Sequence, residues 1–144
     1  MAITFTPRQG GILMCDFGKD PSDPLTFPLG KPPVGMKPEL WKIRQVVVVS
    51  PAALNHRHGA GPGVCLVVPF SATPPRTQDP WDVPFVARAY PSLPKESWAR
   101  CTAVTHVSHA RLDRVLAGRG YRGDILSPAD LMRVQNGIRA ALGL

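Results

Sequence analysis

The sequence predicts a mostly β domain closed by one C-terminal α-helix. Three observations carry that expectation. The chain's 17 prolines and 13 glycines make up about a fifth of its 144 residues, against roughly an eighth in average usage, which opposes a helical bundle. Its apolar runs are short, rich in β-branched residues and bounded by Pro or Gly, as buried strands are. Apolar residues at helical spacing with a clear start signal occur only near the end of the chain. The length suits a single domain over residues 1–144, and a 44% hydrophobic fraction is enough to build a core.

In chain order, Gly11 to Phe17 (GILMCDF) reads as a buried strand between glycines. Residues 18–38 hold six prolines and few residues that can pack, so they read as a long loop, because proline removes ladder donors. A loop of that length in a small domain is usually functional or disordered. Arg44 to Ser50 (RQVVVVS) is the clearest strand: four consecutive valines favour a sheet buried on both faces. Pro51 ends it, and Asn55 to Gly63 reads as a Gly- and His-containing turn. Val64 to Phe70 is the next central strand, followed by a polar loop over Ser71 to Pro80. Trp81 to Ala87 fits an edge strand, since Pro84 interrupts it. Arg100 to Val107 alternates apolar and polar residues like one half-buried strand, and Arg111 to Leu116 stays open between a short strand and a helical turn. The helix spans 128–142, with Ser127 as N-cap, Pro128 at the first position and Asp130 completing a capping box. Leu131, Val134, Ile138 and Leu142 form its core stripe.

The formal net charge is +7 and the sequence pI about 9.9. Two stretches contain no acid: Leu40 to Gln78, with Lys42, Arg44, His56, Arg57, His58 and Arg76, and Ser97 to Leu112, with Arg100, His106, His109 and Arg111. Joined on one face they would attract a polyanion, of which nucleic acid is the commonest inside cells. Three cysteines make a disulfide framework improbable and fit a reducing cytoplasm. No apolar run has the roughly 18 residues of a membrane span, and the N-terminus lacks the apolar core of an export signal.

Several chemistries are disfavoured by spacing. The pairs His56/His58 and His106/His109 belong to no CxxC or HExxH pattern, so no metal is expected. No nucleophile elbow, dinucleotide fingerprint or P-loop occurs, so no cofactor is expected either. Cys15, Cys65 and Cys101 all fall on buried strand patterns, where thiols are inert. One constellation remains. Glu39 and Arg44 lead into the valine strand, and the following strand ends in Pro69-Phe70-Ser71. In an antiparallel pair the start of one strand lies beside the end of the next, so Arg44 and the Ser71 hydroxyl are expected at one sheet end. A guanidinium matches phosphate geometry and stays charged at any relevant pH. Such a pair can hold a phosphodiester and stabilise charge as phosphorus becomes pentavalent.

The order of these segments resembles the MazF/PemK family of type II toxin–antitoxin toxins. The resemblance rests on GILMCDF, PELWKIRQVVVVSPAALN, CLVVPFSAT, CTAVTHVSHARL and LSPADLMRVQNGIRAALGL, and runs from about Gln9 to Leu144. It implies a small SH3-like barrel of the PemK/CcdB type with a C-terminal helix, usually homodimeric and without cofactor. It further implies a metal-independent endoribonuclease that cuts single-stranded RNA at short sequences by 2′-OH attack, leaving 2′,3′-cyclic phosphate and 5′-OH ends. The family's catalytic Arg, hydroxyl and Glu fall on Arg44, Ser71 and Glu39. Gln45 stands where the family usually has Pro, and Ala103 where it has Gln.

Lys42, Arg57, His56, His58, Arg76, His106 and Trp41 are the expected RNA contacts, and Trp81 and Trp98 are further candidates for stacking unpaired bases. Glu39, His56, His58 and His106 are the candidates for proton transfer. The expected partners are RNA and a cognate antitoxin, acidic by complementarity to the +7 charge. The alternative on the same barrel is a non-catalytic toxin that binds a protein target, as gyrase poisons of a related family do, or one that binds RNA without cutting it.

Overall fold

The computed structural model describes residues 3–18, 42–56, 61, 63–117 and 120–144. Among the described residues, eight strands form one antiparallel sheet: β1 (Ile12–Asp16), β2 (Ile43–Val48), β3 (Val64–Ser71), β4 (Asp82–Phe85), β5 (Ser97–Arg100), β6 (Thr105–Ser108), β7 (Leu112–Ala117) and β8 (Gly120–Arg122). Two helices join them, a single turn α1 (Ala52–Asn55) and α2 (Pro128–Leu142). The spatial order is β4-β5-β3-β2-β1-β7-β8, with β6 also on β3. From β6 the chain passes through the short turn His109–Arg111 into β7, which pairs with β1. That path carries it from the edge of β3 round to the edge of β1 and closes a small SH3-like barrel. The mostly β fold with a C-terminal helix is the one the sequence predicts.

The valine strand is buried on both faces, as its composition requires. Val46 and Val48 point into the barrel with Leu13, Cys15, Cys65, Val67, Val107 and Leu112. Val47 points the other way, into a second cluster with Val68, Phe70, Val83, Phe85 and Val134 beneath β4, β5 and α2. The N-cap is as expected: Ser127 Oγ accepts the Asp130 N–H at 3.1 Å. The reciprocal arm of the capping box is replaced. Ser127 N–H donates to Tyr90 Oη at 2.8 Å, and Tyr90 O–H donates to Asp130 Oδ2 at 2.7 Å. Gly143, at φ 72°, caps the other end.

Two expectations need correction. The single strand over Arg100 to Val107 is interrupted by a three-residue turn, Cys101–Ala103. Phe70 pairs with Ala99 but Val67 with Thr105, so three residues of β3 face six of the incoming chain. The extra residues turn Cys101 inward to full burial against α2, and strand alternation alone does not report such a bulge. The core stripe of α2 ends at Ile138, because Leu142 runs past the last packed strand and is 60% exposed. Between Pro51 and the turn expected from Asn55 lies α1, held by buried Asn55, whose Nδ2 donates to Pro7 O at 3.0 Å and Ser50 O at 2.8 Å. The segment over 111–116, open between strand and helical turn, is mainly strand, and the three-residue β8 follows it. Of the long loop, residues 19–38 lie outside the described residues.

Candidate functional site

Arg44 continues the inward alternation of Val46 and Val48, and Ser71 that of Val67 and Pro69. Val46 pairs with Pro69, and extending that register by two residues sets Arg44 opposite Ser71. Both are half-buried at the barrel rim and line one cavity of about 250 Å³ with Pro69, Phe70, Arg100, Thr102 and Ala103. The two residues that the sequence puts at one sheet end therefore meet.

Ser71 Oγ has only local partners: it accepts the Thr73 N–H at 3.2 Å and approaches Thr73 O at 3.5 Å. Its hydroxyl can re-aim into the cavity at small cost. Arg100 was not singled out from the sequence as a site residue. It stands directly across from Asp82, with Nε 3.0 Å from Asp82 Oδ1. The contact is an ion pair without hydrogen-bond alignment. The carboxylate is buried and the arginine side chain is 36% exposed. Arg100 lines the cavity beside this pair. Thr102 enters on the bulge between β5 and β6. The one signal for Arg100 in the sequence was its place in the second acid-free stretch, where strand alternation hid its direction.

A second cavity of about 500 Å³ shares Arg100 and Thr102 and continues along Arg76, Thr77, Asp79, Trp81 and Asp82. The two acid-free stretches thus do meet, through Arg44 and Arg76 from one and Arg100 from the other. Not every member joins them. His109 is buried, and Arg111 donates to Asp16 O at 3.0 Å. Lys42 and His106 are exposed and do not line the Arg44–Ser71 cavity. His56, also exposed, has Nδ1 2.8 Å from Ala53 O and likewise stands outside it. Trp98 is 7% exposed and packed, so only Trp81 of the two described tryptophans reaches a cavity. Glu39, Trp41, Arg57 and His58 lie outside the described residues.

Burial pushes the thiols up, Cys15 and Cys101 to about 12 and Cys65 to about 11, so none supplies a thiolate near neutral pH. Among the described residues no group of three His, Cys, Asp or Glu is placed to hold a metal ion. No described helix is long and apolar enough to cross a membrane.

Residues 8–142 match the model of the PemK-like, MazF-like toxins of type II toxin–antitoxin systems. The chain belongs to that family. This PemK-like toxin is 34% identical over 139 residues to the uncharacterized Escherichia coli K12 protein YifN, covering 88% of the chain and 85% of that relative. Its fold is similar to that of MazF from Deinococcus radiodurans, with TM-score 0.62 and 17% identity over 97% of this chain and 99% of that one. A mycobacterial endoribonuclease in complex with its cognate antitoxin is similar too, with TM-score 0.59 and 20% identity over 96% of each chain.

Proposed function

We propose that this toxin is a metal-independent, sequence-selective endoribonuclease acting on single-stranded RNA. The observation that carries the reading is the shared cavity of Arg44 and Ser71 at the barrel rim. RNA brings its own nucleophile. The 2′-oxygen forms a bond to phosphorus, the bond from phosphorus to the 5′-oxygen breaks, and the ends left are a 2′,3′-cyclic phosphate and a 5′-OH. One proton leaves the 2′-OH and one reaches the departing oxygen.

Arg44 offsets the added charge of the pentavalent state, and Ser71 orients a non-bridging oxygen. Arg100, ion-paired with Asp82, adds a second guanidinium to the same cavity. Arginine is a poor base at its ordinary pKa. The cavity lining among the described residues holds no carboxylate or imidazole. Proton transfer is assigned to Glu39, five residues before Arg44 in the sequence, because the family's glutamate falls on that position. The adjoining cavity, which also carries Asp79 and Asp82, suits a flanking base against Trp81. We place the protein in the cytoplasm as a homodimer whose cognate antitoxin is acidic, in keeping with the +7 charge.

The test is incubation of the purified protein with a defined single-stranded RNA in EDTA, with both new ends mapped. Cleavage leaving a cyclic phosphate is expected. RNA that survives intact, or cleavage that EDTA abolishes, refutes the proposal.

A further inference from the structure

Gln45 follows Arg44 on β2, and its side chain lies on the opposite face, away from the cavity. Its Nε2 donates to Ser92 O at 2.7 Å, across 47 residues of chain. Ser92 is 1% exposed. Its own N–H donates to Asp124 Oδ2 at 2.7 Å, and its hydroxyl donates to the same oxygen. Asp124 is fixed in turn, because its carbonyl accepts the Ile12 N–H at 3.0 Å. Ser92 is thus held between β1, β2 and the segment before α2.

Ser92 belongs to the loop joining β4, which carries Asp82, to β5, which carries Arg100. β2 and β5 do not pair, since β3 lies between them. The Gln45 amide is therefore a tie that bypasses β3 and connects the strand bearing Arg44 to the hairpin bearing Arg100. A backbone shift at either end would change the separation of the two guanidiniums, and an error near 1 Å at a reacting centre costs on the order of 100-fold in rate.

We infer that Gln45 is a positioning residue, which sets Arg44 against Arg100 through its hydrogen bond to Ser92. The inference rests on the ribonuclease reading for its kinetic half alone. Three variants test it: Gln45→Leu, which loses the donor, Gln45→Lys, which keeps an N–H donor of similar reach, and Arg44→Ala. Each is assayed on the same RNA oligonucleotide at a temperature where circular dichroism shows it folded. Gln45→Leu is expected to lower kcat about 10-fold or more with KM within about twofold, and Gln45→Lys to restore kcat to within about threefold of the parent. Leu and parent turning over alike, or Lys failing as Leu does, overturns the inference while the ribonuclease reading stands. A parent that cuts no RNA overturns the ribonuclease reading and the kinetic half together. The positioning half has its own readout, the NMR signals of the Arg44 and Arg100 Nε–H groups. Both should move in Gln45→Leu and return in Gln45→Lys; signals that stay put refute it whatever the RNA does.

Discussion

The rim of the barrel and the seam under α2 lie on opposite faces of the same strands and are built by opposite rules. At the seam, volume decides everything. Gly137 is buried, and a Cβ there would stand 2.7 Å from Cys101 Sγ and 2.8 Å from Val83 Cγ2. Val134 beside it is fully buried, and the neighbouring groups are apolar. At the rim, two guanidiniums and two hydroxyls surround open space. One of these guanidiniums is ion-paired with buried Asp82. The seam is filled by packed apolar volume, and the rim leaves charged and hydroxyl groups open to a cavity. Substitutions at the two places should fail in different assays.

The sharpest contrast is Arg44→Ala. On the proposed ribonuclease reading, losing the Arg44 charge should slow RNA cleavage by about 100- to 1,000-fold. The melting temperature should barely change, since the side chain is half-buried at the rim. Retained cleavage would remove the rim from the chemistry. Ser71→Ala should cost less, about 10- to 100-fold, the scale of one hydrogen bond to a charged oxygen. Ser71→Thr keeps the hydroxyl and should stay near the parent rate in the same assay.

Gly137→Ala tests the seam. Alanine favours helix over glycine by roughly 1 kcal/mol, but a contact at 2.7 Å forces the helix or Cys101 to move. Overpacking typically costs about 1–3 kcal/mol, so the clash should win and lower Tm by several degrees. Cleavage at low temperature should persist. A Tm unchanged or raised would mean that the seam is looser than its distances indicate.

The smallest effect concerns Asp130. Its burial alone would raise the carboxyl pKa, yet hydrogen bonds from Tyr90, Arg133 and Ser127 hold it below its ordinary value. A lowered native pKa stabilises the fold above the unfolded value near 3.9 and loses that contribution as pH falls through the native one. Thermal melts of Asp130→Asn and parent from pH 7 to pH 2 should therefore converge at the acid end. A constant gap between them would exclude the linkage.

Some of this was readable residue by residue. The four valines told of a sheet buried on both faces, because only a strand covered on each side tolerates that run. Ser127, Pro128 and Asp130 marked the helix start, because caps act over three or four residues. Arg44 and Ser71 could be paired, because antiparallel neighbours bring a strand's start to its partner's end. Arg100 was hidden by a bulge of three residues that breaks the alternation carrying it. Asp82 read as an ordinary edge-strand residue until β4 set it across from Arg100. The exchange of the capping-box arm for Tyr90 depends on a residue 37 positions before Ser127.

By itself, the chain's order of residues determined the class of fold, the central strands, the capped helix and the arginine–hydroxyl pair. Each of these follows from spacing within a segment or between consecutive strands. Only tertiary structure decided which further groups face that pair: Arg100 with its buried carboxylate, Thr102 on the bulge, and the Gln45–Ser92–Asp124 tie behind them. These contacts join segments tens of residues apart, and their geometry comes from closing the barrel and packing α2 against it. Local preferences cannot encode a distance that exists only once the sheet has curled.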